Sequence, residues 1–172
     1  MATIKDFARY LIHSYELYSR SQFDNNSELK LQKMMYLAQR ESLALTGNPL
    51  FDEPFEGWRH GPVLPQLRFF FSEDYEPYSI DEKNKLTETE RYVIDSVVYQ
   101  YGKYEAWSLA DLTHHEECWL KSREGLSSDE IGNNLITYED IREDAKKVRP
   151  YDHVYDMFVD EFEDFTDEVL VL

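Results

Sequence analysis

The chain's 172 residues are enough for one domain with its own core, because a chain of this size buries roughly 70% of the surface it exposes when unfolded. Its 35 acidic residues against 18 basic ones leave a formal net charge of −17, which removes the basic surface that phosphate contacts need and argues against direct nucleic-acid binding. One cysteine, Cys118, excludes an internal disulfide framework and a thiolate cluster for zinc, and the lack of a run of about 18 apolar residues excludes a membrane-spanning helix.

In chain order, Thr3 and Asp6 make a capping-box pattern ahead of Ile4, Phe7, Ala8, Leu11, Ile12, Tyr15 and Tyr18. Their three- and four-residue steps predict a first helix. The same N-terminal stretch, MATIKDFARY, sets Lys5, Asp6 and Arg9 where a signal peptide needs apolar residues, so a cytoplasmic protein is expected. A second helix is predicted from about Ser27 to Thr46, where Leu31, Met34, Met35, Ala38, Ser42 and Leu45 recur at helical spacing before Gly47.

The segment from Gly47 to Leu67 then holds four of the six prolines and three of the six glycines, together with Phe51, Phe55, Trp58, Val63 and Leu64. Prolines restrict their own φ and the preceding residue, so a rigid aromatic loop is expected. Phe55, Trp58 and Leu64 would fasten its inner side. Arg59 and His60 would stand on its outer side, and together with Trp58 they are candidate partner contacts, unless the whole loop is a plug on the helical core.

Pro65 suits the first position of a short helix through QLRFFF. Thr87 and Glu90 form another capping pair ahead of the apolar stripe Val93, Ile94, Val97 and Val98, with Gly102 as its end. Further pairs at Ser108/Asp111, Thr113/Glu116 and Thr137/Asp140 predict three shorter helices. Val154, Phe158, Phe162, Phe165 and Val169 predict a last, amphipathic helix whose other faces are acidic. The expected fold class is all-α: a compact single-domain helical bundle over residues 1–149, with a Pro/Gly-rich aromatic loop and an acidic C-terminal helix over 150–172. That extension carries eight acidic residues and no Lys or Arg, so Asp156, Asp160 and Glu163 become candidate contacts for a basic partner.

The most reactive-looking stretch is THHEECW, residues 113–119. His115 and Cys118 at i and i+3 could start a metal site, but no further ligand is identifiable and position 119 is Trp rather than the second His of a zinc motif. A Cys118/His115 nucleophile pair is the other enzymatic alternative. Against both stands a structural reading in which Thr113 and Glu116 cap a helix and Trp119 anchors the core. No metal or cofactor is expected.

Two blocks of the sequence resemble one family. LKLQKMMYLAQRESLALTGNPLFDEPFEGWRHGPVLPQL, residues 29–67, is similar to the signature of the Panacea domain, including its SocA-like and phage-associated members. YGKYEAWSLADLTHHEECWLKSREG, residues 101–125, resembles that family's second block, a Thr-His-x-Glu followed by Trp, which makes His114 and Glu116 further candidate contacts. The likeness runs from roughly residue 3 to 145. It departs at Cys118, where the family commonly has proline, and at His60, where an aromatic often precedes Gly-Pro. The resemblance implies a helical antitoxin, often encoded on mobile elements beside a toxin gene. Such a protein binds its toxin directly, or acts as an adaptor that hands the toxin to a cellular protease, and no catalytic residue is implied. An acidic mimic of nucleic acid that blocks a DNA- or RNA-binding protein remains an alternative, as does a hydrolase centred on 113–119.

Overall fold

Helix starts set the framework. In the computed structural model, which describes residues 2–79 and 85–156, α1 (Ile4–Ser19) opens on Thr3. Its hydroxyl accepts from the Asp6 amide while the Asp6 carboxylate accepts from the Thr3 amide. Ser27 caps α2 (Glu28–Thr46), which ends on Gly47 at a φ of 78°. Reciprocal boxes also open α3 (Glu88–Tyr101), at Thr87 and Glu90, and α6 (Tyr138–Ala145), at Thr137 and Asp140. Each box satisfies amides that a helix start leaves without an intrahelical partner.

The hub is α2, where every residue from Lys30 to Leu43 is buried. Phe7, Leu11, Phe23, Leu31, Met34, Met35 and Tyr36 belong to one continuous core with Phe55 and Phe70. Polar side chains inside such a core need partners. Lys30 meets Asp24 at 2.5 Å and the Gly102 carbonyl at 2.7 Å, and Arg40 pairs with Glu116 and donates to the Tyr101 hydroxyl at 2.9 Å. Gln32 and Gln39, on one face two helical turns apart, act on the loop. Gln32 donates to the Leu64 carbonyl at 3.0 Å and accepts from its amide at 2.8 Å; Gln39 donates to the Phe51 carbonyl at 2.8 Å and accepts from the Leu50 amide at 2.7 Å. These amides take the place of a neighbouring strand, which is how a Pro/Gly-rich segment stays ordered against a helix.

The all-α expectation is corrected here. The proline loop contains β1 (Phe55–Trp58) and β2 (Gly61–Val63), and with β3 (Leu135–Ile136) they form an antiparallel sheet in the order β2-β1-β3. Glu56 faces Val63, Trp58 faces Gly61, and Phe55 faces Ile136. Strands this short show no usable period-2 alternation, and Gly57, Gly61 and Pro62 read as breakers. Pro62 is tolerated because β2 is an edge strand, where its missing amide costs no ladder bond. Helices still dominate the fold.

Other boundaries also shift. QLRFFF is not one helix: a 3-10 turn at Pro65–Leu67 is separated from a π turn at Phe70–Asp74 by Phe69, whose φ is 60°. The helix expected from Ser108 begins earlier, as α4 (Ala106–Thr113), with Ser108 inside it. Thr113 does not cap the next helix, α5 (Glu117–Ser122); its hydroxyl donates to the Ala110 carbonyl at 2.7 Å. The first amides of α5, on Glu117 and Cys118, instead donate to the Asp144 carboxylate of α6 at 3.1 and 2.8 Å. The amphipathic helix expected over 154–169 falls almost wholly outside the described residues. Among the described residues no helix is long and apolar enough to cross a membrane.

Candidate partner-binding groove

Arg59 and His60 are the two-residue turn of the β1–β2 hairpin, and both are exposed. The turn is held from its inner side. Lys33 donates to the Pro62 carbonyl at 2.7 Å, the Trp119 indole donates to the Trp58 carbonyl at 2.7 Å, and Arg123 donates to the Gly57 carbonyl at 3.2 Å. Gly61 has a φ of +117°, and a Cβ there would stand 2.6 Å from Thr113 Oγ1 and 2.8 Å from Lys33 Cε. Only glycine allows both that backbone and that approach to α2 and α4.

Between the hairpin and the N-terminal half of α2 runs a groove of about 380 Å³, whose lining includes Gln32, Lys33, Trp58, Arg59, His60, Val63 and Arg68. Trp58 is half-buried on its wall rather than locked in the core, and its indole donates to Glu56 at 2.9 Å. Phe55 and Leu64, by contrast, are fully buried, as anchors of the inner side should be. The Arg68 guanidinium lies 5.4 Å from the Trp58 ring centre and 4.7 Å from that of Phe69, while Glu28 binds both Arg68 and the Phe69 amide. The His60 ring stands at right angles to exposed Trp107, with centroids 5.0 Å apart.

Charge in the groove runs against that of the whole molecule. Lys33 is fully buried, and burial pushes its pKa down to about 7, with Glu28 opposing. Partial burial also holds His60 below its ordinary value, and the charges of Arg59 and Lys33 push the same way. Burial lowers His114 as well; Asp111 and the His60 backbone oppose this, and the charge of Lys33 adds to it. The charge of Lys33 is thus felt at both His60 and His114.

Of the residues expected from sequence, the structure brings Trp58, Arg59 and His60 together at the groove and sets His114 within electrostatic reach behind them. His114 stacks on Trp119 with centroids 4.4 Å apart, and its Nε2 is buried with no hydrogen-bond partner among the described residues. Glu116 lies elsewhere, buried and paired with Arg40. Asp156 is buried too, pairing with Arg149 at 2.7 Å and accepting from the Asp152 amide at 2.7 Å. Beside it His153 stacks on Tyr99 and meets the Ser96 hydroxyl at 2.9 Å, so the start of the acidic extension is seated on α3. Asp160 and Glu163 lie outside the described residues. Sequence reasoning missed Lys33, Gln32 and Arg68. The signal for Lys33 was a lysine inside the otherwise core-forming run LKLQKMMYLA.

Within 113–119, Cys118 and His115 stand in different surroundings. Cys118 is buried with Sγ 3.2 Å from the Tyr36 hydroxyl, and burial raises its thiol pKa far above the ordinary value, opposite to what a nucleophile needs. His115 is exposed on the turn between α4 and α5. Among the described residues no three His, Cys, Asp or Glu side chains are grouped to hold a metal ion.

No curated protein and no solved structure matches the chain. The family model described as antitoxin SocA-like, Panacea domain, matches residues 31–120, from the first turn of α2 to α5. That span takes in the clamp residues of α2, the whole hairpin and the Trp119 that fastens it. On this match, which covers more than half of the sequence, the chain belongs to the SocA-like antitoxin, Panacea domain family.

Proposed function

We propose that this protein is a non-enzymatic antitoxin that neutralises a cognate toxin in the cytoplasm by direct protein contact, with the hairpin turn and its groove as the contact face. The observation that carries this reading is an exposed Arg59–His60 turn fixed by hydrogen bonds from α2 and α5 beneath it. A rigid face loses little conformational freedom on binding, so more of its contact energy appears as affinity. Exposed Trp107 beside His60 adds the kind of aromatic anchor that interfaces favour. The net charge of −17 supports a toxin with a basic surface, drawn in by long-range attraction.

The test is to express the product of the neighbouring reading frame alone and together with this protein. Growth arrest by the neighbour, lifted by co-expression and accompanied by a stable complex of the two purified proteins, is the expected result. A harmless neighbour that does not bind this chain contradicts the proposal.

A further inference from the structure

We propose that the groove between α2 and the hairpin is a carboxylate subsite, which receives one acidic side chain of the toxin together with an adjoining apolar residue. This deepens the antitoxin reading and rests on it for the identity of the occupant.

The cations supply the first argument. Among the described residues Arg59 has no ion pair, and Lys33 uses one of its three N–H donors, on the Pro62 carbonyl, with no carboxylate within ion-pair distance. Glu28 is already committed to Arg68 and the Phe69 amide. Arg59, Lys33 and His60 therefore face the groove as uncompensated basic groups in a chain of net charge −17. Burial lowers the His60 pKa, and the charges of Arg59 and Lys33 push it further the same way. A carboxylate between them would relieve that repulsion and gain charge-assisted hydrogen bonds.

The walls supply the second. Val63, Leu29 and the Trp58 ring line the same groove, and about 380 Å³ is of the size that takes side chains or a small molecule, not a folded element. A nucleotide fits less well. The Trp58 ring already has the Arg68 guanidinium over it at 5.4 Å, and the acidic surroundings repel a polyanion more than a single carboxylate. A basic toxin surface carrying one exposed Asp or Glu beside an apolar residue satisfies both the long-range field and the local groove.

The experiment titrates the isolated full-length protein with acetyl-Leu-Glu-Leu-amide, with its glutamine counterpart, with inorganic phosphate and with AMP, following the His60 imidazole and Trp58 indole resonances by NMR. Saturable shifts are expected with the glutamate peptide, accompanied by a rise in the His60 pKa, and at least about tenfold weaker binding of the glutamine peptide. Arg59→Ala, a change on an exposed turn, should abolish most of the response, and Lys33→Met should do the same if it folds. Equal binding of both peptides, no response to either, or tighter binding of phosphate or AMP than of the glutamate peptide overturns the proposal. Because no toxin is present, such a failure removes the subsite and leaves the neutralisation test of the antitoxin reading standing separately.

Discussion

Lys33 is fully buried in α2, so its ammonium gives up water for one hydrogen bond, to the Pro62 carbonyl at 2.7 Å. Burial draws its pKa from 10.5 down to about 7. Between those values the unfolded chain holds the proton and the folded chain does not, so this residue makes stability rise with pH across that window. Below it, both states bind the proton and the whole penalty is present. Denaturant unfolding of the wild-type chain should therefore gain more stability between pH 7 and 9 than that of Lys33→Met, by at most about 1.4 kcal/mol per pH unit. Equal slopes would place the amine in a wetter site than the one described. At this scale the sequence exposed the residues that differ from their surroundings, such as Arg59 and His60 within an aromatic loop. It hid those whose meaning depends on distant partners. Glu116 looked like a contact residue, yet its partner is Arg40, 76 positions away.

Among the elements, local codes were readable and tertiary ones were not. The boxes at Thr3, Thr87 and Thr137 join a side chain to a backbone group three residues on, and all three form. The same spacing at Thr113/Glu116 does not act as a box, because α4 runs on through Thr113 and the amides of α5 are met by Asp144 from another helix. The hairpin was legible as a rigid loop but not as a sheet, since its third strand comes from Leu135–Ile136, far along the chain. Trp119 ties α5 to that hairpin through the Trp58 carbonyl while remaining buried itself. Trp119→Ala should cost ~3–5 kcal/mol in thermal or denaturant unfolding. It should also loosen the turn, visible as faster amide exchange at Trp58 and Arg59. A loss below about 1 kcal/mol would mean that the hairpin is held by the α2 contacts alone.

For the molecule as a whole, the charge of −17 and the basic groove would act over two ranges in the proposed recognition. On the proposed reading, the overall field would set the rate of encounter with a basic toxin and be screened by salt, whereas the groove and hairpin turn would hold it. The charge was legible from composition directly. The groove required the fold, because Lys33, Arg59 and Arg68 are scattered in sequence and gather only when the loop folds back on α2. The affinity of the toxin for the Arg59→Ala/His60→Ala double variant, taken beside its melting temperature, tests the hairpin turn as the contact face. An affinity at least about tenfold weaker is expected, with a melting temperature close to that of the wild-type chain, since both side chains are exposed. An unchanged affinity in a protein that melts normally would contradict that role and leave the hairpin as a plug on the helical core.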